Sequence, residues 1–138
     1  KIIVMGRSLG SASAIVLAAT RGEQVHGLVL DSPFADGPAL IRRLGGPQVD
    51  VHRTPGFVDN LERIKRCRLP TLIIHGIEDW VIPVSDAEAL HQACPGEQKR
   101  LVKIPGAGHN DLLVQAFSTY FSQLRWFVES ISTSGTTA

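Results

Sequence analysis

Residues 1–19 read KIIVMGRSLGSASAIVLAA, and the fold follows from how this stretch is parsed. Ile2, Ile3, Val4 and Met5 form a short apolar, largely β-branched run that suits a buried strand. Gly6-Arg7-Ser8-Leu9-Gly10 ends it with two glycines around a serine. Ala12, Ala14, Ile15, Leu17, Ala18 and Ala19 continue with helical character. A strand that turns directly into a helix through G-x-S-x-G lifts the serine onto a sharp bend, with its Oγ above the sheet. Strand end and helix start approach closely there, so a side chain at Gly6 or Gly10 is expected to clash. The free N–H groups of the helix N-terminus point toward the serine and stabilise negative charge that develops beside it.

The rest of the chain repeats the alternation. Thr20-Arg21-Gly22-Glu23 stops the first helix. Val25 to Asp31, VHGLVLD, is a second strand, and its core Leu28-Val29-Leu30 lacks polar alternation, as in a parallel strand buried on both faces. Residues 32–60 are irregular and rich in glycine and proline, with only ALIRRL at 39–44 helical in character. Such an insertion is either a lid or binding loop or a surface excursion. Asp59 is placed to cap a short helix through Cys67, and Pro70 opens the third strand, Thr71 to Gly76. Ser85 is expected to cap the next helix, with Glu88 completing a capping box. Lys99 to Pro105 is the fourth strand. An apolar stripe from Leu112 through Phe117, Tyr120, Phe121, Leu124, Phe127, Val128 and Ile131 predicts one long helix docked on the sheet. Residues 132–138, STSGTTA, form a polar tail expected to be disordered.

This order predicts an α/β three-layer αβα sandwich with a mainly parallel sheet and right-handed crossovers. With 138 residues there is one core and no room for two. The net charge of +1 gives no field that would favour nucleic acid or an anionic membrane. No apolar run approaches a membrane span. Cys67 and Cys94 make no metal spacing, and free thiols in a reducing, cytoplasmic setting are the expectation, with a disulfide between them as the alternative. The His and Asp residues are not at metal spacing either, so no metal or cofactor is expected. The chain opens directly on an apparent central strand, which suggests a missing N-terminal portion.

In parallel sheets, ligands bind beyond the C-terminal strand ends. Ser8, Asp31, Asp79 and His109 each follow one of the four strands there. A serine hydroxyl needs a base to take its proton, and the base needs an acid to orient it. His109, in a Gly-Ala-Gly-His loop, suits the base. Asp79 is the preferred acid; Glu78 and Asp31 are rivals, and Glu78 is expected to face solvent. His75 reads as a packing residue with a backbone hydrogen bond at the strand terminus. Arg7, Phe34 and Trp80 are candidate substrate contacts: Arg7 lies near a substrate carboxylate or phosphate or simply points away from the pocket, and the aromatics line an acyl pocket or belong to the core.

Gly6-Arg7-Ser8-Leu9-Gly10, His75-Gly76-Ile77-Glu78-Asp79-Trp80-Val81-Ile82-Pro83 and Gly106-Ala107-Gly108-His109-Asn110-Asp111 resemble three signature blocks of the α/β-hydrolase superfamily, in that family's chain order. They are most similar to its serine esterase, thioesterase-like depalmitoylase and peptidase-like branch. The resemblance implies that residues 1–131 form the C-terminal part of an α/β-hydrolase domain lacking its N-terminal strands. It implies Ser8 as nucleophile, Asp79 as acid, His109 as base and the Leu9 N–H as an oxyanion donor, acting on a small-molecule or acylated substrate. The family's second oxyanion donor comes from a loop upstream of the serine turn and has no counterpart here. A catalytically incomplete fragment or a non-enzymatic binding module is the alternative.

Overall fold

The computed structural model of the chain describes residues 1–48 and 59–133. Four strands, β1 (Ile3–Arg7), β2 (Gly27–Asp31), β3 (Thr71–Gly76) and β4 (Lys99–Ile104), lie side by side in sequence order. All three pairings are parallel, with Met5 opposite Val29, Leu30 opposite Ile73, and Ile73 opposite Leu101. β2 and β3 are buried along their whole length, which explains their unbroken apolar sequences.

Each step moves one strand in the same direction, so right-handed crossovers place the connecting helices on one face. These are α1 (Gly10–Thr20), α2 (Gly37–Arg43), α3 (Asn60–Ile64) and α4 (Val84–Ala93). The pleat then sorts the strand side chains. Leu28, Leu30 and Ile73 point into a core with Ala14, Ile15, Ile64 and Leu90 of the helices. Val29, Leu72, Ile74 and Ile104 point the other way, against Leu112, Tyr120, Phe127 and Ile131. The latter come from α5 (Leu112–Gln115) and α6 (Phe117–Thr133), which make the third layer. The three-layer parallel architecture read from the sequence is the architecture observed.

Several local expectations change. The final helix is broken at Ala116 (φ −132°), and only part of its apolar stripe is buried. Phe117, Phe121 and Val128 form an exposed shoulder, on the flank of the helix beside the face that buries Tyr120, Phe127 and Ile131. Helix α6 reaches Thr133, two residues into the segment expected to be disordered; residues 134–138 lie outside the described residues. The N-cap of α4 is Pro83, without a side-chain cap bond, so Ser85 does not cap it. Glu88 instead pairs with Lys103 at 2.9 Å.

The irregular segment is pinned at both ends. Asp36 and Asp59 bridge each other, and each also caps a helix: Asp36 accepts from the Ala39 N–H at 2.7 Å and Asp59 from the Glu62 N–H at 3.0 Å. Buried Asp86 accepts from the Ala35 N–H and from Arg43, tying the segment to α4. The lid or cap expectation for 32–60 also involves residues 49–58, which lie outside the described residues. Cys67 and Cys94 are free and buried.

Candidate active site

β1 ends at Arg7 and α1 starts at Gly10, leaving Ser8 and Leu9 to make the turn. Ser8 has φ +52°, a left-handed conformation that non-glycine residues rarely adopt. Its N–H donates to the Asp31 carbonyl at 2.9 Å and its carbonyl accepts from the Ser11 N–H at 3.0 Å, so both sides of the strained residue are held. A Cβ on Gly6 would lie 2.4 Å from the Gly10 carbonyl oxygen and 2.7 Å from the Ala14 Cβ, as the tight turn requires. Gly10 differs from expectation: a Cβ there meets nothing within 4 Å. The close approach is borne by Gly6 alone.

The loop after β4 carries His109 across the top of the sheet to β1. Ser8 Oγ–H donates to His109 Nε2 at 3.0 Å, and His109 Nδ1–H donates to Asp79 Oδ2 at 2.7 Å. Asp79 is fixed in turn. Its Oδ1 accepts from the N–H groups of Val81 at 2.9 Å and Ile82 at 2.8 Å. Its Oδ2 also lies 3.4 Å from His75 Nε2. Burial raises the pKa of the Asp79 carboxyl, but the hydrogen bonds from His75, Ile82 and His109 outweigh this and hold it at about 2. It therefore stays ionised, and an ionised carboxylate accepts only, which places the proton on His109 Nδ1 and frees Nε2 to accept from the serine.

Loop position is set by close backbone contacts. A Cβ on Gly76 would sit 2.2 Å from the Ala107 carbonyl oxygen, so the strand end and the histidine loop touch main chain to main chain. Glu78, exposed as expected, is also tied down: its Oε2 accepts from the Gly106 N–H at 2.6 Å. It is turned toward that loop and away from His109 Nδ1. Asp31 is held elsewhere, its carboxylate accepting from Ser32 Oγ and Tyr120 Oη, both at 2.8 Å. Burial and the Asp31 charge push the Tyr120 hydroxyl pKa up, so it remains a donor.

The remaining candidates separate. The Leu9 N–H lies at the N-terminus of α1 beside Ser8. Phe34 is 2% exposed and packs with Leu40 and Ile82 in the interior. Trp80 is 93% exposed, next to Asp79. Arg7 donates to the His109 carbonyl and lies 3.6 Å from Asp31, so its charge is directed into the protein's own polar groups. Sequence reasoning missed the contact of His75 with Asp79. The signal was their four-residue spacing across a strand end, His-Gly-x-x-Asp, which lets the imidazole and the returning carboxylate meet. Among the described residues no group of His, Cys, Asp or Glu is placed to hold a metal ion, and no helix is long and apolar enough to cross a membrane.

The chain is 34% identical over 129 residues to the α/β hydrolase domain-containing protein aho-3 of Caenorhabditis elegans, covering 94% of this chain. It is 36% identical over 129 residues to human α/β hydrolase domain-containing protein 17B, covering 92% of this chain. A family model described as serine aminopeptidase, S33, matches residues 55–115. This chain belongs to the α/β-hydrolase superfamily. It spans 36% and 41% of the length of those two relatives. In this α/β-hydrolase chain the fold itself also matches solved structures. An esterase of Pyrococcus furiosus superposes with a TM-score of 0.74 at 19% identity, over 94% of this chain and 53% of that one.

Proposed function

We propose that this chain carries the catalytic groups of a serine hydrolase that cleaves an ester, thioester or amide through an acyl-enzyme. The observation that supports the reading is the continuous hydrogen-bonded line from Ser8 Oγ through His109 to buried Asp79. His109 Nε2 takes the Ser8 proton as Oγ attacks the substrate carbonyl carbon. Asp79 remains a carboxylate and stabilises the imidazolium. The oxyanion forms beside the Leu9 N–H, a type of donor worth about 2.7–4 kcal/mol to the transition state. The imidazolium then gives its proton to the leaving group, and the acyl stays on Oγ. Water, deprotonated by the same nitrogen, releases the acid and restores the serine.

The chemistry needs no metal or cofactor. Its substrate is an acyl-bearing small molecule or acylated chain. Trp80, with Ile77, Asp79, Pro83, Val84 and the polar Glu78 and Ser85, lines a cavity of about 360 Å³ whose mainly apolar surface can take an acyl or leaving group. The free, buried cysteines suit a reducing, cytoplasmic setting.

The test is a p-nitrophenyl acyl ester followed in the pre-steady state. The expected result is a burst of p-nitrophenol, lost in Ser8→Ala and reduced by at least ~100-fold in rate in His109→Ala. Ester turnover that survives Ser8→Ala would sink the reading. Matched acyl thioester and aminoacyl anilide substrates then rank the bond types.

A further inference from the structure

Arg7 occupies the position just before the serine, and nothing in the acyl-transfer scheme uses it. Its guanidinium spans two groups. Nη2 donates to the main-chain carbonyl of His109, while Nε lies 3.6 Å from Asp31 Oδ2. Asp31 is 1% exposed at the end of β2, and Tyr120 from α6 and Ser32 donate to its two oxygens. A carboxylate that deep needs a counter-charge, and Arg7 is the cation beside it. Tyr120, Asp31, Arg7 and the His109 backbone thus form one polar chain beside the Ser8–His109–Asp79 line.

The topology explains why this matters. β1 and β4 are the two edges of the sheet, so the loop after β4 must cross β3 and β2 to bring His109 to Ser8. On the β3 side this loop is well fastened. Ala107 O accepts from the Glu78 N–H at 3.0 Å, and the Gly106 N–H donates to Glu78 Oε2. At the β1 end, apart from the reacting Ser8–His109 pair itself, the tie among the described residues is the bond from Arg7. The fork of an arginine presents separate N–H groups to the carboxylate and to the carbonyl, whereas a lysine offers one ammonium.

We propose that Arg7, braced on the buried Asp31–Tyr120 pair, is a positioning residue that clamps the His109 main chain so that the imidazole meets Ser8. The inference rests on the serine-hydrolase reading above. It assigns Arg7 to the protein's own base and not to an anionic substrate.

The experiment compares wild type, Arg7→Gln, Arg7→Lys, Tyr120→Phe and the Arg7→Gln/Tyr120→Phe double variant. Each is tested for labelling by an uncharged fluorophosphonate probe and for amide hydrogen exchange. Both Arg7 variants are expected to label about tenfold more slowly at saturating probe, with an unchanged half-saturating concentration, since the base and not the binding surface is displaced. Tyr120→Phe slows labelling less, and the double variant is no slower than Arg7→Gln, because the brace acts through Arg7. Amides at 108–111 exchange faster in the Arg7 variants while those of β3 do not. Wild-type labelling by Arg7→Gln, a shift only in half-saturation, or unaltered exchange at 108–111 overturns the proposal. If wild type takes no probe at all, the hydrolase reading fails, and the exchange measurement alone upholds or overturns the clamp.

Discussion

At the scale of single residues, Gly6 and Ser8 carry the turn and Asp79 carries the charge. Gly6→Ala forces a Cβ to within 2.4 Å of a backbone oxygen and should cost roughly 1–3 kcal/mol, whereas Gly10→Ala, with open space around it, should leave stability within ~1 kcal/mol. Urea melts of the two variants check this contrast. Asp79 makes a pH prediction. Its folded pKa, about 2, lies below the ordinary value of 3.8, so the unfolded chain binds more protons between these limits. Its contribution is therefore fully present above about pH 4 and is lost as pH falls through about 2. Thermal melts from pH 6 to pH 2 should show Asp79→Asn with a shallower acid slope than wild type; parallel slopes would contradict the assignment. The three catalytic candidates were legible because each follows a strand in a short glycine-bearing block. Arg7 was legible only as a charge in the wrong company, since its partners Asp31 and His109 are 24 and 102 residues away along the chain. The inward packing of Phe34 depended on Leu40 and Ile82, a contact that no local pattern contains.

At the scale of elements, the buried strands were readable because parallel strands covered on both faces are apolar throughout. The helix caps were less so: Asp59 caps as its position suggested, but Ser85 lost its place to Pro83, whose extended φ and ψ already start the helix. The break at Ala116 was hidden because the apolar periodicity runs through it. β1 has a consequence of its own. Among the described residues it pairs only with β2. The Ser8 N–H and the Ile2 carbonyl bond toward the β2 side. Backbone alternation then turns the N–H and C=O of Ile3, Met5 and Arg7 outward. Met5 is half exposed, and Phe117, Phe121 and Val128 lie on the flank of α6 opposite the Trp126 that stacks with Arg100 of β4, hence on the β1 side. An open edge beside an apolar shoulder favours association with other strands. The 138-residue chain should therefore self-associate in sedimentation velocity at micromolar concentration, and Met5→Lys should reduce the effect. Monodisperse wild-type monomer would count against this reading of the edge.

At the scale of the molecule, one repeated rule assembles the site. Every strand ends at the same side of a parallel sheet, so groups from Ser8 to His109 converge although their loops are far apart in sequence. The sheet supplies direction, the close contact of Gly76 with Ala107 supplies depth, and the Arg7 clamp supplies the lateral placement of the histidine loop. This general plan was visible in the alternation of strands and helices; the lateral ties were not, because they join opposite edges of the sheet. The central claim is that Ser8 is an activated nucleophile. The most direct test is to treat the folded chain with a fluorophosphonate at neutral pH and map the adduct by peptide mass spectrometry. The account predicts one adduct on Ser8 Oγ, slowed in His109→Ala and absent in Ser8→Ala; a folded chain with no adduct, or an adduct that persists in Ser8→Ala, would contradict it.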